Sequence, residues 1–536
     1  MSTRFAIRGD RPPLRRRLSI GLALALGAAG PCLAASAPDD PLSHFFRAAR
    51  DGDWGRHFNP ENFARFEARL RARRPGVASV SRPLAPETQV VSNCNDSGSG
   101  SLRNAVAAAA NGDTVDMSSL ACSVISTSSE IAVHVDSLSI VGRGQGSLTI
   151  DGGNAHGVFM HYGTGTLAIS DVTIAHGRYG LGGCVVSLGS VSLARATVTE
   201  CTATGYAGYS DGGGVFATGN FTMTSSTLSN NDAYDASFSG ARVYGAGAFV
   251  HGNATITGST LRVNNATSGG AYVGGGGIIV GGTLTMTNST LSRNTVIDVI
   301  GIDAIAGGAI SVGDLTATGC TIEGNHASIG GGISGGAATS TVTLVNSTIT
   351  GNDAAVAGAL VSLAPLHLRN STVAFNYAGG GTGAAGVVVA VNSEIQSSIV
   401  ADNYVGAGCT FRCRPYGAPS AIDGADGADL SSNGNVVVIS GANNLIIDVD
   451  PAITLPGGTL RIEPMLASFL ENNGGPTQTL ALNPNSPAIN AGNNAAGLTT
   501  DQRGSGFVRV SGAAPDIGAF EVQGGGGDEI FRSGFE

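Results

Sequence analysis

The chain is expected to fold as an all-β, right-handed parallel β-helix, a solenoid of about 11 coils with an N-terminal capping helix and a C-terminal closing region. Two observations predict this. An eleven-residue phrase keeps returning: apolar-x-apolar-x, a polar residue, Ser-Thr-apolar, then an asparagine, as in Phe221-Thr-Met-Thr-Ser-Ser-Thr-Leu-Ser-Asn-Asn231 and Leu284-Thr-Met-Thr-Asn-Ser-Thr-Leu-Ser-Arg-Asn294. Anchored on the residue before the last apolar position, the copies fall at Thr173, Thr197, Thr227, Thr260, Thr290, Thr321, Thr348, Thr372 and Ser398, at steps of 24 to 33 residues. A period of that length marks units that bury their apolar face only by stacking. The second observation is composition. Glycine reaches 82 of 536 residues without a Gly-x-y period, aromatics are 5% and charged residues 13%. That pattern excludes collagen, and the 42% apolar share excludes disorder.

Residues 1–37 read as a signal peptide: Arg15-Arg16-Arg17, an apolar run from Leu18 to Gly30, then small residues at Ala34-Ala35-Ser36-Ala37. The run is too short to span a bilayer. The arginines leave general or twin-arginine export open. Residues 38–87 are a basic helical spacer, a pro-segment or a membrane-surface helix, with Phe45, Phe46, Trp54, Phe58, Phe63, Phe66 and Leu70 on one apolar face.

Residues 88–150 are the N-terminal cap and first coils. Ser101 can N-cap a short helix whose apolar face is Leu102, Val106 and Ala109, with Asn111-Gly112 ending it. Residues 151–405 are the repeats. Each coil reads as three short strands: Gly-Gly-small-apolar, as at Gly276-Gly-Ile-Ile; apolar-Thr-apolar-Thr; and Ser-Thr-apolar. Alternation turns Val, Ile and Leu inward and Thr outward. Stacking places Asn231, Asn264, Asn294, Asn325, Asn352 and Asn376 in one column, where buried amides can bond coil to coil as in an asparagine ladder. At the strand spacing of about 4.8 Å, the rod is on the order of 50 Å long. Residues 406–522 hold the last coils and the closing region, and residues 523–536 a glycine linker and tail.

Charge excludes some partners. There is no lysine, and 15 of the 29 arginines lie in residues 1–82. The body that follows carries 14 arginines against 32 acids, which repels nucleic acid. In an oxidising compartment Cys94 with Cys122 would staple the cap, Cys184 with Cys201 would tie strands of one coil, and Cys409 with Cys413 could close a local loop. Cys320 is left over as a small buried residue. No metal or cofactor motif appears. Asp423, Asp426 and Asp429 are spaced by three instead of the two of a calcium loop, so a turn-rich loop is favoured over a Ca2+ site. The Asn-x-Thr matches at Asn253, Asn265, Asn288, Asn346 and Asn370 fall in or beside the strand phrase, which explains them better than glycosylation does.

The phrases Asn93-Cys-Asn-Asp-Ser-Gly-Ser-Gly-Ser-Leu-Arg, Asn473-Gly-Gly-Pro-Thr, Asn485-Ser-Pro-Ala-Ile-Asn-Ala-Gly492, Thr500-Asp-Gln-Arg-Gly504 and Asp516-Ile-Gly-Ala-Phe-Glu521 give the chain a resemblance over residues 88–522. It resembles exported bacterial right-handed parallel β-helix proteins with a choice-of-anchor Q region, whose repeats are similar to those of polymorphic outer-membrane proteins and adhesins. The resemblance implies placement outside the cell or on the outer-membrane surface, and no particular reaction. The tail Ile530-Phe-Arg-Ser-Gly-Phe-Glu536 is similar to a sorting signal, which implies export machinery as a partner. Within the closing region Asp501, Arg503, Asp516 and Glu521 read as ion pairs and turn caps.

A β-helix acting on polysaccharide needs paired acids on one face. No Asn-Thr-Asp, Asp-Asp or Gly-His-Gly phrase lies in the coils, so no catalytic residue is assigned. The long steps come from inserts at 202–211, 232–244, 266–273 and 295–306, which stack into one surface. Tyr206, Tyr209, Asp211, Asp232, Tyr234, Asp235, Arg242, Tyr244 and Tyr272 lie there as a candidate binding face for an extracellular glycan or a cell-surface protein. The expected function is thus non-catalytic, adhesin-like binding. A polysaccharide lyase or glycoside hydrolase is the alternative, and a structural envelope component the second.

Overall fold

The computed structural model describes residues 85–205, 209–235, 242–269, 273–298, 304–311, 313–336, 339–379, 384–406, 429–432 and 434–524, together with Ala68. The proposed signal peptide, nearly all of 38–87, Tyr206, Tyr272, Cys409, Cys413, Asp423, Asp426 and the tail lie outside the described residues.

Among the described residues the three expected strands of each coil form three long parallel sheets. The first sheet carries the apolar-x-apolar-x strands and has 14 members, from Thr88–Val90 to Ile453–Thr454. The second carries Ser-Thr-apolar and has 12, from Val124–Ser126 to Leu445–Ile446. The third follows the glycine pair and has 11, from Ile131–Val133 to Leu430–Ser431. Every pairing joins one coil to the next, as Leu228↔Leu261↔Leu291↔Ile322 shows. Inward positions form one apolar core from Val91 to Ile453. The first sheet is about 60 Å long at 14 strands, longer than expected because one further cap strand and two late strands extend it.

Three details differ from the sequence reading. The described parts of the inserts are strands of a fourth parallel sheet between the second and third. Stacked backbone groups find partners in the coil above and below, so even polar inserts become strands when they repeat. The last anchor is Ile399 in place of Ser398, since Thr372 pairs with Ile399. Ser398 instead continues a column of serines that the sequence reading did not recognise. In it, Ser226, Ser259, Ser347 and Ser371 each donate a backbone N–H to the hydroxyl of the next coil's serine. Cys320 occupies one step of that column, buried, with its thiol pushed up to about 12 by burial.

The asparagine column is as expected and runs further. Asn231, Asn264, Asn294, Asn325 and Asn352 each donate Nδ2 to the next Oδ1 at 2.8–2.9 Å and their own N–H to the same oxygen. Asn376 repeats the pattern onto Asn403, and Asn403 onto the carboxylate of Asp429. The second glycine of the corner leaves room for this amide. A Cβ on Gly247 would lie 2.2 Å from the Gly277 carbonyl oxygen of the next coil and 3.2 Å from Asn264 Cγ. Asn288, Asn346 and Asn370 sit at left-handed corners, with φ of 48°, 46° and 45°, which asparagine tolerates better than most residues.

Both expected disulfides are present, Cys94–Cys122 and Cys184–Cys201. The second takes over the ladder's geometry. Val185 pairs with Val215 and Thr199 with Ser229, so Cys184 stands where the next coil has Gly214 and Cys201 where it has Asn231. The disulfide closes a 17-residue separation, worth about 3 kcal/mol. A Cys184→Ser/Cys201→Ser protein should lose about that much in urea unfolding. Cys184→Gly/Cys201→Asn, which installs the standard pair, should recover most of it.

At the N-terminal end, helix α1 (Leu102–Ala108) covers the open core with Leu102, Ala105 and Val106. Ser101 Oγ accepts the Asn104 N–H, as expected, but the helix stops at Ala109, ahead of Asn111-Gly112. At the other end, the closing region folds back along the outer face of the second sheet. Thr477 Oγ1 donates to Gly319 O, Thr348 Oγ1 to Gln502 Oε1, and the Ala519 N–H to Thr372 Oγ1. Thr321, Thr348 and Thr372 are buried in consequence, while the equivalent Thr197, Thr227, Thr260 and Thr290 remain half-exposed. Leu466, Leu480, Leu482, Ile517 and Phe520 pack there on Ala374, Ile399 and Ala401. Arg503 pairs with Asp501 at 2.7 Å between the rings of Phe507 and Phe520, each 3.9 Å away. Asp516 and Glu521 accept backbone N–H groups, so the expected ion pairs and turn caps are in place.

Candidate functional site

The fourth sheet is the side on which coils differ from one another. In the middle coils it has two limbs. The outgoing limb is Thr202–Ala203, Asp232–Asp235, Asn265–Ser268 and Thr295–Asp298. The returning limb is Tyr209–Asp211, Arg242–Tyr244, Val273–Gly274 and Ala304–Ile305. Both end on one strand, His326–Ile329, which pairs with Thr295 at its start and Ile305 at its end. Small residues, Ala203, Ala233, Ala266 and Ala327 among them, let the limbs close on one another with Val243, Val273 and Val296.

The structure divides the nine predicted face residues. Tyr234 projects from the outgoing limb, 48% exposed. Tyr209, Asp232, Asp235 and Arg242 are half-buried beside it. The Arg242 guanidinium lies 5.8 Å from the Tyr209 ring centre, and Asn265 donates to Asp232 at 3.1 Å. Tyr244 and Asp211 are not on the surface. Tyr244 packs with Phe216, Phe249, Ile279 and Ile310 on the outer face of the third sheet, because the returning limb crosses back over that sheet. Asp211 pairs with Tyr244 in register and is buried with it. Strand alternation could have been read from Tyr209-Ser-Asp211, but not the doubling of the side that places it.

Asp211 is the chemically distinctive group here. Burial pushes its carboxyl up to about 8, a rise that the charge of Arg242 and the Tyr244 backbone only partly offset. Its Oδ1 is buried without a hydrogen-bond partner. Burial therefore favours the protonated carboxyl, the form that can donate a proton. The linkage sign follows. The native carboxyl keeps its proton to about pH 8, whereas the unfolded one releases it near 3.9. Its contribution to stability is complete below about pH 4 and is lost as pH rises through about 8. Asp211→Asn should flatten that part of the slope, read as the urea midpoint between pH 4 and 8.

Along the first positions of the fourth sheet runs a half-buried stripe: Thr202, Asp232, Asn265, Thr295, His326, Asp353, Tyr377 and Tyr404. His326 Nδ1 lies 2.9 Å from Asp353. Elsewhere His176 bridges Asp151 and Glu200 at 3.0 and 3.1 Å, and both carboxylates hold its pKa above the usual value. Glu394 meets His367 at 2.8 Å and Arg369 at 2.6 Å. These contacts were missed in the sequence because each joins residues about one coil apart, and only the exact register brings them together.

Among the described residues, no group of three or more His, Cys, Asp or Glu side chains is arranged to hold a metal ion. Asp429, one of the three aspartates weighed for calcium, is instead the end of the asparagine ladder. Its carboxyl also accepts the Asp448 N–H at 3.0 Å and is raised to about 7 by burial.

No protein-family model matches the chain, and no curated protein is similar to it in sequence. Among solved structures, the crystal structure of pectate lyase Pel9A aligns with 83% of this chain and 97% of its own, at 14% identity and a TM-score of 0.34, a likeness that assigns no residue here a role.

Proposed function

We propose that the chain is an exported binding protein whose contact surface is the fourth side of the β-helix. One observation carries the reading. The fourth side bears a coil-by-coil change of side chain, from Thr202 through Asp232 and His326 to Tyr404, where the middle coils of the first sheet repeat threonine. A surface that varies at fixed spacing suits a ligand with several distinct contacts, such as a glycan or a cell-surface protein. Exposed Tyr234 and the Tyr209–Arg242 pair offer the flat apolar face with polar edges that sugar and protein contacts use. Two disulfides fit an oxidising compartment, in keeping with the signal-like residues 1–37. Membership of the choice-of-anchor Q group and a sorting role for the tail belong to this same proposal.

The protonated Asp211 favours a second reading, a polysaccharide lyase or hydrolase acting on the same side. A glycan array together with an assay for reducing ends and unsaturated sugars separates the two. For the binding reading, Tyr209→Ala/Tyr234→Ala should weaken retention on the array or on cells at least tenfold, with no sugar released. Retention equal to the unaltered protein's would sink it, and sugar release abolished by Asp211→Asn would establish the enzyme.

A further inference from the structure

The first sheet carries an array that the fourth-side reading leaves unused. Five consecutive strands, Phe221–Thr224, Ala254–Thr257, Leu284–Thr287, Leu315–Thr318 and Val342–Val345, present two outward positions each. One rank is Thr222, Thr255, Thr285, Thr316 and Thr343; the other is Thr224, Thr257, Thr287, Thr318 and Val345. Nine of ten positions are threonine, and the tenth is its isostere without the hydroxyl. None is buried. Among the described residues no hydrogen bond engages the nine hydroxyls.

Sheet geometry fixes the lattice: about 4.8 Å from strand to strand and about 6.6 Å between the two ranks. The first is close to the shorter oxygen repeat on a prism face of hexagonal ice, and the second lies somewhat below the longer repeat. Sheets usually twist, which would destroy such a match, and side-chain ladders are one device that restrains the twist. Here two hydrogen-bonding columns clamp both margins. Asn220 Oδ1 accepts the Asn253 N–H, Asn253 Oδ1 the Thr283 N–H and Asp314 Oδ1 the Thr341 N–H at one margin. The serine column, with Ser226 Oγ, Ser259 Oγ and Ser289 Oγ, clamps the other. The lattice is therefore organised before any ligand arrives, which lowers the cost of binding.

The chemistry of the face narrows the occupant. The outward pairs preceding the array are Ser139 and Val141, Ala168 and Ser170, Ser192 and Ala194, all uncharged. Charge appears away from the array, at Asp116 in the cap and at His367, Arg369 and Glu394 beyond it. An uncharged face disfavours an ionic polymer, and the lack of aromatic rings on it disfavours stacking on crystalline polysaccharide. Methyl groups spaced between hydroxyls suit ordered water that the hydroxyls anchor and the methyls cage.

We propose that this threonine face binds ice, through ordered water that the two ranks hold in register with the prism plane. The test uses purified protein in slowly growing ice, with partition into ice, crystal shape and thermal hysteresis as readouts, and cellulose and chitin pull-downs alongside. The unaltered protein should be enriched in ice and shape crystals on prism faces. Thr287→Tyr, at the centre of the array, should lower hysteresis at least tenfold. Thr227→Tyr, on the outer face of the second sheet, should leave it unchanged. Thr257→Lys repeats the central test should Thr287→Tyr shift the urea midpoint. Exclusion from ice by the unaltered protein, equal activity in the central and control variants, or retention by cellulose or chitin with no effect on ice would each overturn the proposal.

Discussion

Asn294→Leu should destabilise the stack by about 2–6 kcal/mol. The side chain is fully buried and serves both neighbouring coils. Its Oδ1 accepts the Asn264 N–H at 3.1 Å and Asn264 Nδ2 at 2.8 Å, and its Nδ2 donates to Leu261 O at 3.0 Å and Asn325 Oδ1 at 2.9 Å. Leucine matches the volume but leaves the Asn264 N–H and one Asn264 Nδ2 hydrogen without an acceptor, the other staying on Leu228 O, at about 1–3 kcal/mol for each stranded donor. Urea unfolding followed by circular dichroism measures the loss. In a solenoid the fault should also split the transition, since coils on either side of it lose their coupling. A single transition shifted by less than 1 kcal/mol would show that the amide column is dispensable.

Arg503→Met should cost about 3–5 kcal/mol and act locally. The guanidinium is fully buried, pairs with Asp501, donates to Glu521 O and is held between two phenyl rings. Methionine fills part of the space and strands a buried carboxylate, the expensive way to break an ion pair. The closing region should then release the second sheet, exposing Thr321, Thr348 and Thr372 as Thr227 and Thr260 already are. Hydrogen exchange reads this directly: protection should fall in residues 477–522 while the coils from Leu138 to Thr290 keep theirs. Asp501→Asn/Arg503→Met, which removes both charges, should recover part of the loss.

What the sequence could show was whatever repeats. The inward Leu, Ile and Val positions, the asparagine column and the capping helix each follow from a local pattern, and all are where that pattern put them. The Cys184–Cys201 and Cys94–Cys122 pairs were also legible, from compartment and spacing. What depends on register between coils was not. Ser398 and Ile399 are adjacent, and only strand pairing shows which one continues the anchor column. The candidate site suffered most from this. Tyr244 and Tyr234 look alike in sequence, but the doubled fourth side turns one onto Phe249 and leaves the other in solvent. Asp211, grouped with the exposed acids by position, is buried because the returning limb carries it over the third sheet.

The asparagine ladder also gives the rod a polarity. From Asn231 to Asn403 each Oδ1 faces the preceding coil, and each Nδ2 sends one hydrogen to the following coil's side chain and another back to a carbonyl, so the bonds from side chain to side chain run head to tail, as peptide dipoles do in a helix. The positive end of that line falls on a carboxyl group, Asp429. A core with a built-in direction accepts an added coil in one orientation only. Two such rods meeting like end to like end would oppose their dipoles, whereas a rod meeting the opposite end of its neighbour would continue them.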